Sequence, residues 1–363
     1  MPLPLDGITV LDFSTLLPGP LATLMLAEAG ARVIKVERPG GEDMRGFPPR
    51  IGGMSAPFAV LNGGKESLVL DLKAPDALER LRPLLAEADV IVEQFRPGVM
   101  DRLGLGYDAL SRINPRLVYC SITGYGQVGP RAAEAGHDIN YQAVTGLLSL
   151  APTMPAALVA DIAGGAMPAV MNILLALRQR DLTGHGSRID VAMADAMFTF
   201  AWFALAEGSA TGRHPGPHEN LLAGGSPRYG LYATRDGRFL AVGALEPKFW
   251  SAFCDAIGLD QALRDDRTDP AATRAEVARL VSERDGAEWH AILGPRDCCC
   301  TIVASLAEAV ADPHFKERGL FRAEARLPSG TAIPSTPLPI ALHLRRPPEA
   351  TRGVPDIDGT GRA

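Results

Sequence analysis

The sequence of 363 residues contains few cysteines, and their arrangement is unlike that of a structural framework. The five cysteines are at positions 120, 254, 298, 299 and 300. An odd number cannot pair completely, and three adjacent thiols cannot converge on one metal ion without strain. We therefore expect no disulfide framework, no metal centre and a reducing, cytoplasmic location.

The sequence also lacks a basic cluster and a long apolar run. The formal net charge is −6, which disfavours a nucleic-acid partner. No uninterrupted apolar stretch reaches the roughly 18 residues that a membrane span needs, and the first residues carry no basic signal-peptide start. We expect a soluble protein without a membrane or nucleic-acid partner, with the apolar residues 166–177 forming a buried helix.

A third absence is the glycine fingerprint of dinucleotide-binding proteins. Residues 14–20 read STLLPGP, with one glycine and two prolines. Glu37 stands about where a ribose-binding acid would, but a pyrophosphate cradle needs several glycines so that backbone N–H groups can approach it. The sequence therefore predicts no nicotinamide or flavin cofactor.

The composition is that of a globular protein, and predicted strands and helices alternate in the first half of the chain. Hydrophobic residues make up 47% of the chain, which suits two or three packed units. Helices predicted at 20–29 and 74–86 separate predicted strands at 8–13, 32–37, 67–72, 89–95 and 117–123. This alternation predicts a large, Rossmann-like α/β domain with a parallel, helix-covered sheet. Long apolar stretches at 164–178 and 190–207 are predicted to be helical.

The second half has a different pattern. The pair Asp236-Gly237 lies between two strand-like runs and predicts a hairpin with a type I′ turn, followed by helices at 247–257 and 274–284. From residue 326 the chain is rich in proline and is predicted to be irregular. We predict a large domain over 1–191, completed by about 336–363, and a smaller α+β domain over 223–325. Linkers are predicted at 192–222 and 326–335.

Two arginines follow predicted strands at the edge where open α/β sheets bind ligands. Arg38 comes directly after the second strand, and Arg96 follows the strand at 89–95. Their rigid forks of donors suit a phosphate-rich ligand. A solvated surface arginine is the competing interpretation of Arg38.

The segment at 136–141 reads GHDINY and places a histidine where a loop opens an apolar helix. Imidazole is suited to proton transfer, and a helix start offers free backbone N–H groups to a developing oxyanion. A structural capping role for His137 or Asp138 is the simpler interpretation of these residues alone.

Asp161 precedes two glycines and a long apolar helix. An acid in this setting is either a helix N-cap or a buried carboxyl group with a raised pKa. From the residues alone, the N-cap is the favoured interpretation.

The chain resembles the family III CoA-transferase superfamily of the CaiB/BaiF type over about residues 5–325. The segments that carry the resemblance, in order, are LLPGPLATLMLAEAGARVIKVERP, LVLDLK, FRPGVMDRLGLGY, SITGYGQVGP, GHDINY, ADIAGG, ENLLAGGSPRYGLY, AVGALEPKFW and DPHFKERG. They indicate CoA binding and do not by themselves separate the reactions of the family.

Two features make the chain most similar to the α-methylacyl-CoA racemases of this superfamily. Racemases typically carry GHDINY, whereas transferases usually have a residue other than histidine where His137 stands. Transferases also carry a mobile glycine-rich loop where this chain reads GALEP at 243–247. The segment LLAGGSPRY at 221–229 departs from the racemase pattern MLDGGAPFY. Because the resemblance implies that this segment lines the acyl site, the departure bears on which acyl group is bound.

The resemblance implies a two-base racemase in which His137 and Asp161 move protons and the backbone N–H of Asp138 binds the enolate oxygen. Glu246 would orient His137 from the partner chain of an interlocked homodimer. No cofactor or metal is implied, because coenzyme A is part of the substrate. Residues implied in CoA binding are Arg38, Ala59, Asn62, Arg96, Gly124 and Tyr125.

Two alternatives use the same residues differently. In a CoA-transferase, Asp161 would be the nucleophile that forms an anhydride and then an aspartyl-CoA thioester. A CoA-binding protein without catalysis would not need His137, Asp161 and Glu246 together.

Overall fold

A computed structural model describes residues 2–357 of the chain. These residues form two compact units. The first contains the chain up to Thr145, Pro155–Thr199 and the residues from His314 onward, and the second contains Gly146–Met154 and Phe200–Pro313. The predicted combination of a large parallel-sheet unit and a smaller α+β unit is confirmed.

The strands are, in chain order, β1 Thr9–Asp12, β2 Arg32–Glu37, β3 Arg50–Ile51, β4 Met54–Ser55, β5 Glu66–Val69, β6 Val90–Glu93, β7 Val118–Thr123, β8 Arg188–Ala192, β9 Tyr229–Ala233, β10 Phe239–Gly243, β11 Cys300–Ile302, β12 Glu324–Arg326, β13 Ala332–Pro334 and β14 Arg352–Gly353. The α-helices are α1 Pro18–Glu28, α2 Ala56–Asn62, α3 Ala77–Glu87, α4 Val99–Arg102, α5 Tyr107–Ile113, α6 Asp138–Val144, α7 Met167–Thr183, α8 Met193–Phe200, α9 Trp202–Thr211, α10 Pro247–Ile257, α11 Pro270–Val281, α12 Gly286–Leu293, α13 Leu306–Ala311 and α14 Pro313–Glu317.

The first unit is built on a six-stranded parallel sheet with the order β5-β2-β1-β6-β7-β8. Numbered along the chain, these strands lie in the order 3-2-1-4-5-6. The direction of strand addition reverses between β1 and β6, where Val10 pairs with Val33 on one side and Val90 on the other. In open α/β sheets, ligands bind outside the carboxyl ends of the strands at this reversal.

Helices cover both faces of this sheet, which is why its central strands are almost continuously apolar. On one face, Leu11 and Ile91 pack in a core that includes Leu81 of α3 and Leu110 of α5. Helix α1 is buried along its whole length and contacts α7. A helix that is apolar all round belongs inside a layered structure, so α1 is held between neighbours rather than at a surface.

The strand predictions in the first half are confirmed to within a few residues, and β2 coincides with the predicted strand. The helical prediction at 190–207 is wrong at its start. Residues Arg188–Ala192 form β8, which pairs with β7, and only then do α8 and α9 begin. An uninterrupted apolar run has no periodicity that separates an edge strand from the helices that follow it.

A continuous helical segment, Ala160–Thr183, begins with π-helical residues Ala160–Ala166 and continues as α7. Within the described residues, this segment is the one helix that is both long enough and apolar enough to cross a membrane. Its most apolar 18 residues have a mean hydropathy of 1.6. Those criteria are weak evidence, because core helices of soluble proteins also meet them. The expectation of a buried helix at 166–177 is met on one face only, since Ala169 and Ile173 are buried whereas Met171 and Leu175 are more than half exposed.

The second unit contains an antiparallel sheet with the order β11-β10-β9 over a core that includes Trp250, Phe253 and Trp289. The predicted hairpin is confirmed in β9 and β10. Its turn is not type I′, because only Gly237 has a positive φ, of 78°. The Gly237 N–H donates to the Thr234 carbonyl, so the connection is a tight turn followed by a glycine bulge.

The C-terminal region is more regular than predicted. β12, β13 and β14 form a small three-stranded sheet in the first unit, although the sequence predicts irregular structure from residue 326 onward. Arg352 is buried and pairs bidentately with Glu28 at the end of α1. The predicted linker at 192–222 contains α8 and α9, and residues 358–363 of the predicted return segment lie outside the described residues.

Candidate active site

A cavity of about 500 Å³ lies in the first unit at the carboxyl ends of the central strands. The loops after β1, β6 and β7 supply much of its wall, including Leu16, Gln94 and Gly124, and Met193 at the start of α8 adds to it. This is the edge and the topological position at which the strand order reverses. The sheet therefore places a concave site where the α/β topology favours one.

His137 and Asp161 both line this cavity. His137 is the residue before α6, as the GHDINY segment predicted, and it is exposed. Its backbone N–H donates to the side-chain oxygen of Asn140 at 3.0 Å, which closes the first turn of the helix. His137 is thus held at a fixed helix start and lines the cavity.

Tyr141 explains the glycines around His137. Its hydroxyl donates to the Gly136 carbonyl at 2.6 Å, and burial raises the pKa of Tyr141 to about 12, so the donor proton is retained at neutral pH. A Cβ at Gly136 or Gly124 would lie within 2.8 Å of the Tyr141 ring. Tyr125 packs edge-to-face on the same ring, with centroids 5.2 Å apart. Both loops are therefore held against one aromatic side chain.

Asp161 lies inside the π-helical segment and not at a helix N-cap, so the N-cap interpretation is wrong. Wide π-helical turns are uncommon and are often found at functional sites. No described group within residues 2–357 donates a hydrogen bond to the Asp161 carboxyl oxygens. The carboxyl group faces the cavity without a protein partner.

The structure favours the alternative interpretation of Asp161 as a carboxyl group with a raised pKa, with the side chain half-buried. Burial raises the pKa of Asp161 to about 6, the negative charge of Asp138 adds to this effect, and His137 opposes it. A carboxyl group with this pKa is present in both protonation states near neutrality. It can therefore accept a proton or donate one at little cost.

Asp138 connects the two candidate groups. Its carboxylate accepts a hydrogen bond from the backbone N–H of Asp161 at 2.9 Å and another from the Gln142 side chain at 2.5 Å. Asp138 is buried, so both contacts are shielded from water. The side chain next to His137 therefore fixes the backbone that carries Asp161.

The glycine pair after Asp161 allows close packing behind it. A Cβ at Gly164 would lie 2.7 Å from the Met197 methyl carbon and 2.8 Å from the Met193 carbonyl, and one at Gly165 would lie 3.0 Å from Pro18. Any side chain at Gly164 would push the π-helical segment away from its neighbours. The two glycines thus set how deeply Asp161 sits against the cavity.

The two predicted phosphate-binding arginines are placed differently. Arg96 lines the cavity after β6 and is exposed. Arg38 follows β2, is 64% exposed, and pairs with Asp43 while donating to the Gly41 carbonyl at 2.9 Å. Only Arg96 is at the cavity, and the role of either arginine in CoA binding stays a prediction.

Ala59 and Asn62, also predicted to bind CoA, are fully buried on α2. The Asn62 side chain donates to the Phe58 carbonyl and accepts from the Lys65 ammonium group. In this chain both residues are buried, Asn62 is engaged by other groups of the protein, and their role in CoA binding stays a prediction. Of the remaining predicted CoA residues, Gly124 lines the cavity and Tyr125 packs behind it.

Glu246 is in the second unit, where it directly precedes α10. Its backbone carbonyl accepts from the Trp250 N–H at 3.0 Å, and Arg228 donates to the neighbouring Leu245 carbonyl at 3.4 Å. Arg228 is itself anchored by Asp266. Glu246 therefore stands at a well-anchored helix start, and its predicted action on His137 stays a prediction.

A larger cavity of about 810 Å³ lies within the second unit and is less suited to catalysis. Its arginines are already committed to carboxylates in three pairs, Arg228–Asp266, Arg264–Asp255 and Arg267–Asp265. The cavity in the first unit instead contains the Asp161 carboxyl group and the His137 imidazole. Neither forms a salt bridge with a side chain among residues 2–357.

Sequence reasoning missed the loop after β1 and Gln94. Residues 14–18 lack a glycine fingerprint, and although residues 16–18 belong to a segment that carries the family resemblance, none was singled out as a site residue. Thr15, Leu16 and Pro18 nevertheless line the cavity. Gln94 lines it too, and its side-chain oxygen accepts from the Gly19 N–H at 2.9 Å. Their position after the two strands at the reversal of strand order is the signal that would have found them.

The family model described as CoA-transferase family III matches residues 5–359 of the chain. The chain is 39% identical to human alpha-methylacyl-CoA racemase over 329 residues, which span 87% of this chain and 82% of the relative. It is 33% identical to the acetyl-CoA:oxalate CoA-transferase of Acetobacter aceti over 376 residues, covering 99% of this chain and 94% of that protein. Racemases and transferases are thus matched at similar identity.

The fold is similar to that of a solved CAIB/BAIF family protein from Brucella suis, with a TM-score of 0.79 and 31% identity. The similarity covers 94% of this chain and 93% of that one. The architecture and the sequence therefore point to one family.

Proposed function

This chain belongs to CoA-transferase family III, an enzyme family, and from this premise we propose that it inverts the 2-methyl centre of 2-methylacyl-CoA thioesters. The proposed reaction is a 1,1-proton transfer through an enolate. The observation that carries the proposal is the presence of His137 and Asp161 in the wall of the same cavity. Inversion needs a base on one face of the α-carbon and an acid on the other.

In one direction, His137 removes the α-proton and leaves an enolate, whose charge rests largely on the thioester oxygen. Protonated Asp161 then delivers its proton to the opposite face of the same carbon. The net reaction consumes nothing, and the reverse direction exchanges the two roles. Because the pKa of Asp161 is raised to about 6, both of its required protonation states are accessible near neutrality.

Two further residues complete the proposed chemistry. Asp138 occupies the first position of α6, where the backbone N–H groups have no intrahelical acceptor. Such a donor lowers the energy of an enolate more than that of its parent thioester, because the charge develops in the enolate. Glu246 is proposed to orient the imidazole of His137 in a second copy of the chain.

The proposal includes a homodimer as the active form. Among the exposed side chains of α7, Met171, Leu175 and Leu182 are 56%, 61% and 71% exposed and share one helix face. In the second unit, Trp202 of α9 is 60% exposed. Exposed apolar faces of this kind are typical of surfaces that a partner covers. We propose that a second copy covers them.

The substrate brings its own coenzyme A, so the proposal needs no resident cofactor or metal. Arg96, at the cavity, is the first candidate for the phosphates, with Arg38 farther along the same sheet edge. A cytoplasmic location is proposed on the five free cysteines alone.

The test is α-proton exchange of (R)- and (S)-2-methylacyl-CoA in deuterium oxide. We expect deuterium incorporation with loss of chirality in the parent protein, and a decrease of about 10²- to 10⁴-fold in His137→Gln and Asp161→Asn. Matched controls are His185→Gln and Asp181→Asn, which change the same residue types at exposed positions after and near the end of α7. The controls should exchange at the parent rate.

A CoA-transferase is the second candidate, favoured by the 33% identity to a transferase over 99% of this chain. In that reaction the Asp161 carboxylate attacks the thioester carbonyl and expels CoA thiolate, which leaves a mixed anhydride. The thiolate then attacks the aspartyl carbonyl of the anhydride, which forms an aspartyl-CoA thioester and releases the free acid. Incorporation of labelled free acid into acyl-CoA, unaffected by His137→Gln, would establish the transferase and reject the racemase. Absence of both reactions with bound CoA would leave a binding protein.

A further inference from the structure

The loop between β1 and α1 is held at two points by one buried ion pair. Lys35 donates from its ammonium group to the Ser14 carbonyl at 2.8 Å, and Glu42 accepts from the Leu16 N–H at 2.7 Å. Lys35 and Glu42 also pair with each other at 3.0 Å, with side chains 0% and 2% exposed. A positive and a negative charge thus hold successive polar groups of the same short loop.

The loop adopts a backbone conformation that its sequence does not favour. Leu16 has a φ of 63°, in the left-handed region that residues other than glycine rarely adopt. Such a conformation persists only where the surroundings impose it, and such sites cluster where function requires a fixed geometry. The hydrogen bond from Leu16 to Glu42 is the contact that imposes it at the strained residue itself.

Glu42 is held rigidly on the side away from the loop. Its backbone N–H donates to the Glu37 carboxylate at 3.1 Å, and Glu37 is bound bidentately by Arg45. The Arg45 guanidinium in turn stacks over the Phe58 ring at 4.0 Å. The Glu42 carboxylate, which accepts the Leu16 hydrogen bond, is therefore restricted in position.

We propose that Lys35 and Glu42 are positioning residues that fix Leu16 in the cavity wall and so determine which acyl group the site accepts. The inference rests on the proposed function, because it assigns the cavity to the acyl thioester. Leu16 lines the same cavity as His137 and Asp161, whereas Lys35 and Glu42 are buried behind the loop and do not line it. They act on the substrate only through the loop.

A purely stabilising role explains this pair poorly. Removing two charges from water costs about as much as their attraction returns, so a buried pair is often no better for stability than apolar residues of similar volume. What the pair supplies in addition is two directed contacts to fixed backbone atoms. Directed contacts specify a loop geometry, which apolar packing does not do.

The test compares Glu42→Gln, Lys35→Met and the double variant with the parent protein. In Glu42→Gln, a neutral amide replaces the carboxylate, so the Leu16 N–H loses its charge-assisted hydrogen bond and the Lys35 ammonium group loses its buried counter-ion. We expect each single variant to lower the preference for 2-methyldodecanoyl-CoA over CoA, measured as a ratio of Kd values by titration calorimetry, by about tenfold. Amide hydrogen exchange of the peptide spanning residues 13–19 should accelerate in parallel.

The double variant separates positioning from folding. Because it removes both charges together, it should recover most of the thermal stability lost in Lys35→Met, yet it should not recover the acyl preference. A structural role alone would restore both quantities together. Glu28→Gln is the matched control, since Glu28 is equally buried in an ion pair with Arg352 but does not line the cavity.

The outcomes are distinguishable. A Kd ratio within twofold of the parent in folded Glu42→Gln, or an equal loss in Glu28→Gln, overturns the inference. A parent protein that binds 2-methyldodecanoyl-CoA but exchanges no α-proton overturns the proposed racemase, while the Kd ratios still decide the role of Lys35 and Glu42.

Discussion

Two carboxyl groups at the same edge of the parallel sheet, the buried Asp12 and the half-buried Asp161, have opposite protonation behaviour. Burial acts on both and would raise both pKa values. At Asp12 it is outweighed by Lys65, Lys35 and the Ser14 and Thr23 hydroxyl groups, which lower the pKa to about 2. At Asp161 no hydrogen-bond donor within residues 2–357 offsets it, the opposing effect of His137 is smaller, and the pKa rises to about 6.

The difference shows that burial alone does not decide what a carboxyl group does. Asp12 ends β1 and receives hydrogen bonds from the Ser14 N–H, the Thr23 hydroxyl and the Lys65 ammonium group. It is a permanent anion that fixes the start of the loop over the cavity. Asp161, with no donor among residues 2–357, keeps the capacity to exchange a proton. One group supports the structure, and the other is available for chemistry.

Breaking the Asp12 region should have the largest effect on stability. In Lys65→Met, the Asp12 carboxylate loses the nearer of its two buried cations together with a hydrogen bond, and the free energy of unfolding should fall by about 3–5 kcal/mol. The measurement is urea unfolding at pH 7. Arg32→Met, which breaks the exposed pair of Arg32 with Glu66, should cost less than about 1 kcal/mol. Equal losses in the two variants would show that Asp12 does not depend on Lys65.

The pH dependence of stability should reveal the low pKa of Asp12. Its pKa lies below the unfolded value of 3.8, so its contribution is fully present above about pH 4 and is lost as pH falls towards 2. The contribution is about 2 kcal/mol. We expect the difference in unfolding free energy between the parent and Asp12→Asn to shrink across this window. A difference that stays constant from pH 5 to pH 2 would contradict the assignment.

Asp161 should affect the pH dependence of stability in the opposite direction from Asp12, and by a smaller amount. Its folded pKa of about 6 lies above the unfolded value of 3.8, so the folded state holds the proton longer and stability falls as pH rises from about 4 to 6. Asp161→Asn should therefore be more stable than the parent above pH 6, while the two converge below pH 4. The gain should be less than that at Asp12, because Asp161 is partly open to solvent. Thermal unfolding across this range measures it.

The smallest expected effect is that of Asp138→Asn on the pKa of Asp161. The amide oxygen can still accept from the Asp161 N–H, but the negative charge that helps to raise the pKa of Asp161 is gone. We expect that pKa to fall by less than about one unit. The measurement is the acidic limb of the pH profile for α-proton exchange, which should move to lower pH. An unchanged limb would show that burial alone sets the pKa.

The sequence predicted the elements that local patterns determine. The alternation of apolar runs with helical segments was sufficient for the parallel sheet, and β2 and α10 were predicted with their observed bounds. The GHDINY segment placed His137 correctly before α6. In each case the decisive signal lies within about ten consecutive residues, which is why it could be read without a structure.

The missed features depend on contacts between distant segments. Residues 15, 16 and 18 line the cavity in a loop that makes hydrogen bonds with Lys35 and Glu42, about 20 residues or more away in the sequence. Asp161 looked like an N-cap because its neighbours resemble a helix start. Its actual turn is π-helical and is packed through Gly164 against Met193 and Met197. Neither arrangement leaves a local periodicity in the sequence.

The π-helical segment before α7 has a consequence for how this site can change by insertion and deletion. A π-helical turn holds about one residue more than an α-helical turn, and each α-helical residue turns the chain by about 100°. Losing one residue from Ala160–Ala166 would restore an α-helix and rotate Asp161 away from the cavity, while α7 kept its register. The position of the Asp161 side chain in the cavity thus depends on the number of residues in this segment. A single-codon deletion could remove it while every side chain at the site kept its identity.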